Sequence, residues 1–112
     1  DNFEDCMDHL ESELQDMHVV HTINNALVCI ISLFYGKMDP LLSPQIAVMC
    51  GWDTDCNGAT VGSITGAIHG RKKYNSSPAE KLNDTIKPAM IGFQELRMID
   101  LARRSAIVRK SI

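Results

Sequence analysis

The sequence lacks an excess of basic charge, a long apolar run and a paired-cysteine motif, and each absence removes a class of function. Eleven Lys and Arg stand against fourteen Asp and Glu, a net charge of -3, so there is no broad cationic surface to neutralise several phosphates. Nucleic acid is therefore not an expected partner. The longest apolar run, Ala26 to Tyr35, is ten residues, too short for a hydrocarbon layer of ~30 Å. No basic-apolar-small signal opens the chain, and no membrane partner is expected. Cys6, Cys29, Cys50 and Cys56 form neither a CxxC pair nor a disulfide framework. They read as reduced, mostly buried thiols of a cytoplasmic protein. A zinc site from Cys50, Cys56 and His69 would match no common zinc spacing.

What is present is enough for a core: 112 residues, 45% of them hydrophobic, the size of one ordinary domain or less. The chain opens on Asp1 rather than methionine, which reads as a trimmed or cleaved product.

Phe3, Cys6, Leu10, Leu14 and Met17 recur at steps of three and four between acidic residues, the pattern of an amphipathic helix with a solvated acidic face. Asn24 to Tyr35 is apolar nearly all round and predicts a buried helix. Asn24 and Asn25 stand at its N-cap, and Gly36 suits a left-handed position after its end. Ser43 then serves as N-cap and Pro44 as first residue of a short helix to about Cys50. Arg71 to Pro78 is a polar connection. Leu82 to Phe93, broken by Pro88 and Gly92, reads as a short helix and irregular chain. Asp100 caps a last helix to about Lys110 that turns Leu101, Ile107 and Val108 inward. No strand pair is evident, so the expected class is all-α.

Between these lies a helix from about Asp55 to His69 with Gly58, Gly62, Gly66 and Gly70 every four residues. Each interior glycine costs ~1 kcal/mol relative to alanine. Close approach of another backbone or of a ligand would offset that cost, and tight helix packing in a core is the expected reason. Asp53 and Asp55 sit in the turn ahead of this helix. Two carboxylates one residue apart can reach one hard cation or two adjacent ones, although an aspartate before a helix is usually an N-cap.

The longer string GWDTDCNGA, followed by Gly62, Gly66-Ala67 and Gly70, resembles the late metal motif of the ADP-ribosylglycohydrolase family, the dinitrogenase-reductase-activating glycohydrolase-like proteins. The likeness extends through VHTINNALVCIISLFYG and, more loosely, LNDTIKPAMIGFQELRMIDLARRS. It implies a compact multi-helix fold, of which residues 1–112 form the carboxy-terminal part of a single domain. It also implies two magnesium ions, with manganese as an alternative, and hydrolysis of the glycosidic bond between ADP-ribose and an acceptor, a protein or a small conjugate.

By this resemblance Asp53, Asp55 and Cys56 fall on metal-binding positions and the His21 region on the cleft; with His21, the motif neighbours Trp52, Thr54 and Asn57 are the candidate substrate-binding residues. Each also has a plainer reading. His18 and His21 can be structural, Trp52 can close the core, and Asn57 can support a carboxylate or satisfy the helix start. The sequence departs from the family at Cys56, where many members have threonine or serine and where a soft sulfur is a poor magnesium ligand. Thr54, a backbone carbonyl or water would then stand in. The family's early acidic motif is also not in these residues, which implies that the chain needs its amino-terminal portion for turnover. A catalytically inactive ADP-ribose-binding or structural member of the same fold is the alternative, and a small helical interaction module is the third reading.

Overall fold

The computed structural model describes residues 2–74 and 81–110, and the chain divides into two compact units, Asp1–Tyr74 and Asn75–Ile112. Among the described residues no helix is long and apolar enough to cross a membrane. The first unit holds four helices: α1 Phe3–Leu14, α2 Thr22–Tyr35, α3 Leu42–Met49 and α4 Thr54–His69, then a 3-10 turn Arg71–Tyr74. The second holds β1 Thr85–Ile86, β2 Leu96–Arg97 and α5 Met98–Lys110. The architecture is thus helical, as expected, with one small strand pair.

Helix α1 starts with a reciprocal cap in which the Asn2 side chain accepts from the Asp5 amide and the Asp5 carboxylate accepts from Asn2. Its apolar stripe places Met7 in the core with Phe3 and Leu10 packed alongside. The helix ends at Leu14, and Met17 closes a turn beyond it instead of extending the stripe. Val28, Ile46 and Cys50 complete that core, and Ile31, Tyr35 and Trp52 flank it.

Helix α2 is buried on one face only. Asn24, Val28 and Ser32 are inside, while Ile23, Ile30 and Phe34 are exposed, so the all-round burial expected of this apolar run is not met in the described unit. The cap also differs from expectation. His21 Nδ1 accepts from the Ile23 amide at 3.2 Å, which leaves Asn24 free to turn into the interior.

Small polar residues stand among the buried positions of α2, α3 and α4. Ser32 and Thr65 are fully buried, and each hydroxyl donates to the carbonyl four residues earlier on its own helix, so neither needs a partner across the interface. Gly36 is in the right-handed region, at φ -75° and ψ -4°. It is needed for space, because a Cβ there would lie 2.6 Å from the Ser32 carbonyl oxygen and 2.6 Å from Ser43 Cα and would collide with Ser43 Oγ. The left-handed residues are the next two, Lys37 and Met38.

Ser43 is buried against that glycine, with no hydrogen-bond partner for its Oγ among the described residues. The cap of α3 is made instead by Asp39, whose Oδ1 accepts from the amides of Leu41 at 2.9 Å and Leu42 at 2.8 Å. Pro44 becomes the third helical residue, where a missing N–H still costs nothing. On α4, a Cβ at Gly58 would come within 3.1 Å of Val48 Cγ2, but one at Gly62 would meet only Pro44 Cγ at 3.9 Å. Gly58 and Gly62 therefore face α3, and close approach is real at Gly58 and slack at Gly62. Gly70 ends the helix in the left-handed region.

In the second unit, Leu82 to Phe93 forms no α-helix. Thr85 pairs with Arg97 and Ile86 with Leu96 in an antiparallel ladder, too short to leave an alternating pattern. Asp84, not Asp100, serves the start of α5: its Oδ1 accepts from the Ile99 amide at 3.0 Å, and its Oδ2 pairs with Arg97. Asp100 pairs with Arg103. Ile107 and Val108, expected inside, are exposed, and no described residue of α5 is buried. The connection expected at Arg71 to Pro78 is described only through residue 74, as the 3-10 turn; its remainder lies outside the described residues.

Two measurements test this packing. Gly62→Ala should raise stability by about 1 kcal/mol, the helix-propensity gain, while Gly36→Ala should lower it by about 2 kcal/mol or more through overpacking, both read from chemical denaturation. The amides of Leu42 and Leu41 hold the Asp39 carboxyl below its ordinary range, so its contribution is full above the unfolded value and is lost as pH falls through the folded one. Asp39→Asn, which still caps, should flatten the acid limb of the stability profile below about pH 4.

Candidate functional site

The turn Gly51-Trp52 joins α3 to α4. Gly51 has φ 79° and Trp52 φ 46°, two left-handed residues in succession. For a tryptophan this conformation is strained. It reverses the chain so that Asp53 stands at the N-cap position of α4 and Trp52 turns back to the core, its indole donating to Glu11 Oε1 at 3.3 Å.

Asp53 makes no cap hydrogen bond. Its carboxylate instead lies with those of Asp55 and the thiol of Cys56, all three donor atoms within 4.8 Å of one another. This is the metal-capable cluster found among the described residues. Asp53 is half-buried, and Asp55 and Cys56 are exposed. The neighbouring Asp53 carboxylate and then the charge of Asp55 push the Cys56 thiol above its ordinary value. The zinc trio considered above does not assemble. Cys50 is in the core, and His69 is at the far end of α4 with Nε2 on the Met38 carbonyl.

An open groove of about 370 Å³ runs between α2 and α4, lined by Val20, His21, Thr22, Asn25, Ala26, Cys29, Asp53, Cys56, Asn57 and Thr60. Residues 22, 25, 26 and 29 on one helix face 53, 56, 57 and 60 around the start of the other. Each set has the i, i+3, i+4, i+7 spacing of a single helix face. That spacing was the available signal for Cys29 and Thr60, which the motif alone does not pick out.

Of the sequence candidates, the groove brings together His21, Asp53, Cys56 and Asn57, with Asp55 beside it through the carboxylate cluster. Trp52 and Thr54 do not line it. Trp52 borders a separate hollow of about 300 Å³ with Glu11, Leu14, Gln15, Met17 and Val19.

The polar side chains beneath the groove are joined. Asn57 Nδ2 donates to Asn25 Oδ1 at 2.7 Å, and Asn25 Nδ2 donates to the carbonyls of Val19 at 2.7 Å and His21 at 3.0 Å. Asn57 thus bonds another amide rather than a metal-side carboxylate. Fully buried Asn24 donates to the His18 carbonyl, and His18 Nδ1 accepts from the Val20 amide at 3.1 Å. Cys29 faces the Asn57 Oδ1 at 3.8 Å, its thiol pushed up by burial.

No curated protein and no solved structure gives a significant match to the chain. The sequence model for ADP-ribosylglycohydrolase matches it over residues 2–109, nearly its whole length and across both carboxylates of the turn. With that match spanning the acidic turn, the glycine-bearing helix and the groove it forms with α2, the chain belongs to the ADP-ribosylglycohydrolase family.

Proposed function

We propose that the chain supplies the late metal motif for magnesium-dependent hydrolysis of the glycosidic bond between ADP-ribose and an acceptor, in an ADP-ribosylated protein or a small conjugate. The carrying observation is that Asp53, at the N-cap position of α4, does not cap the helix and stands with Asp55 at the groove. A capping aspartate spends an oxygen on the helix amides; this one keeps its carboxylate for another partner.

The donor set fits a hard cation. Two carboxylates suit Mg²⁺ or Mn²⁺, and the sulfur of Cys56 does not. Asp53 and Asp55 would hold the metal, with Thr54, a main-chain carbonyl or water replacing the oxygen that Cys56 lacks. Bound there, one ion or two would provide Lewis-acid stabilisation and make water more acidic. The chain's own residues bind and orient the sugar. His21, Thr22, Asn25 and Thr60 border the groove with groups able to meet hydroxyls, and the start of α4 gives an anionic ligand a partial positive charge. Cys56 favours one second reading, an inactive ADP-ribose-binding member of the same fold.

Mn²⁺ titration of the chain should show saturable binding that Asp53→Asn with Asp55→Asn abolishes while helicity by circular dichroism is kept. Metal affinity untouched by the double substitution sinks the site. Release of ADP-ribose from a modified protein then separates hydrolase from binding protein. Residues 1–112 alone should bind metal without turnover until the early carboxylates are supplied, covalently or as a second chain. Robust turnover by residues 1–112 overturns that requirement.

A further inference from the structure

The groove has two walls of different origin, and one chain of amide hydrogen bonds spans them. On the α4 side, Asn57 follows the acidic turn directly, its own backbone amide donating to the Asp53 carbonyl at 2.9 Å. The residue is 3% exposed, and its side chain points across to α2, where Nδ2 donates to Asn25 Oδ1. On the α2 side, the same Asn25 amide holds two carbonyls of the lip, Val19 and His21. The path from the Asp53 peptide to the His21 peptide therefore runs through two side chains.

A buried asparagine could be satisfied locally, as Ser32 and Thr65 are by their own helices. Asn57 is not. Its donor is committed to another helix 32 residues away in sequence, and losing that partner would leave a desolvated amide, so the pair resists separation.

We propose that Asn25 and Asn57 form a relay that fixes the spacing of the groove, making Asn57 a positioning residue. It holds Asp53 and Asp55 opposite His21 and touches neither metal nor sugar. The lip then moves with α4: a change at Asn57 is felt at Val19 and His21, although these lie before α2. The metal arm of this proposal rests on the reading of Asp53 and Asp55 given above. The relay itself does not.

Two readouts on the full chain test it, each taken well below the unfolding transition of the variant. In metal-free protein, Asn57→Ala should shift the NMR resonances of the Val19 and His21 amides in the same sense as Asn25→Ala. With Mn²⁺ followed by electron paramagnetic resonance, each single variant should lose affinity on the order of tenfold, the scale for groups that orient metal ligands. The double variant should lose no more than either single. A purely structural Asn57 would lower the melting temperature and leave both readouts at wild-type values, which overturns the proposal. Additive losses in the double variant overturn it as well. If wild-type protein binds no Mn²⁺, the metal reading fails, and the resonances alone decide the relay. Should Asn57→Ala not fold, Asn25→Ala at its half-buried site carries the same comparison: unchanged Asp53 and Asp55 amide resonances there refute the coupling.

Discussion

Helix α3 lies so close to α2 and α4 that side-chain volume at the crossings is the constraint on which the first unit depends. At Gly36 a single added carbon would collide with the backbone of Ser32 and Ser43, and at Gly58 it would press on Val48. Small residues let the helices meet. The cost is a thin core, in which fully buried positions include Asn24, Ser32, Ser43 and Thr65 as well as Val28 and Val61. Such a core gains less from apolar transfer than one of leucines and depends on having no orphaned polar atoms. Ser32 and Thr65 meet that demand by folding onto their own helices, and Asn24 by reaching the His18 carbonyl. Ser43 Oγ is the exception, confined where Gly36 makes room for it.

The same closeness generates the site. With α3 short and tight against α4, the chain must reverse within Gly51 and Trp52, and both take left-handed backbone to do so. The strain at Trp52 is offset by seating its ring on the core and its indole on Glu11. This anchoring sets where α4 begins. Asp53 and Asp55 then come to the edge of a groove whose other wall is α2, and the Asn25–Asn57 bond ties the two walls. Packing, turn and carboxylates are thus one mechanical unit, which is why a family motif here spans acids and glycines together.

Apolar side chains remain on the outside of α2, α3 and α4, at Ile30, Phe34, Val48, Met49 and Ile68. With Ile107 and Val108 of α5, they are where hydropathy and burial differ. An apolar run specifies what a helix prefers to contact, but whether a partner is there belongs to the tertiary structure.

Helical class, the limits of α4 and the acidic turn could be read from the sequence because each rests on local chemistry: a glycine that ends a helix, aspartates before one, periodic apolar residues. The family followed from a motif whose spacing is equally local. Caps were misassigned where two residues could serve. His21 displaced Asn24, Asp39 displaced Ser43 and Asp84 displaced Asp100, because propensity ranks residue types while geometry selects which oxygen or nitrogen reaches the free amides. The hairpin of Thr85 and Ile86 with Leu96 and Arg97 was invisible, since two-residue strands are too short for alternation to appear. Only the fold could show that Gly36 is needed for space rather than for its backbone freedom, that Trp52 faces away from the groove, and that Asn57 reaches Asn25. Each depends on what stands across from a residue, and sequence spacing along one chain does not carry that information between helices.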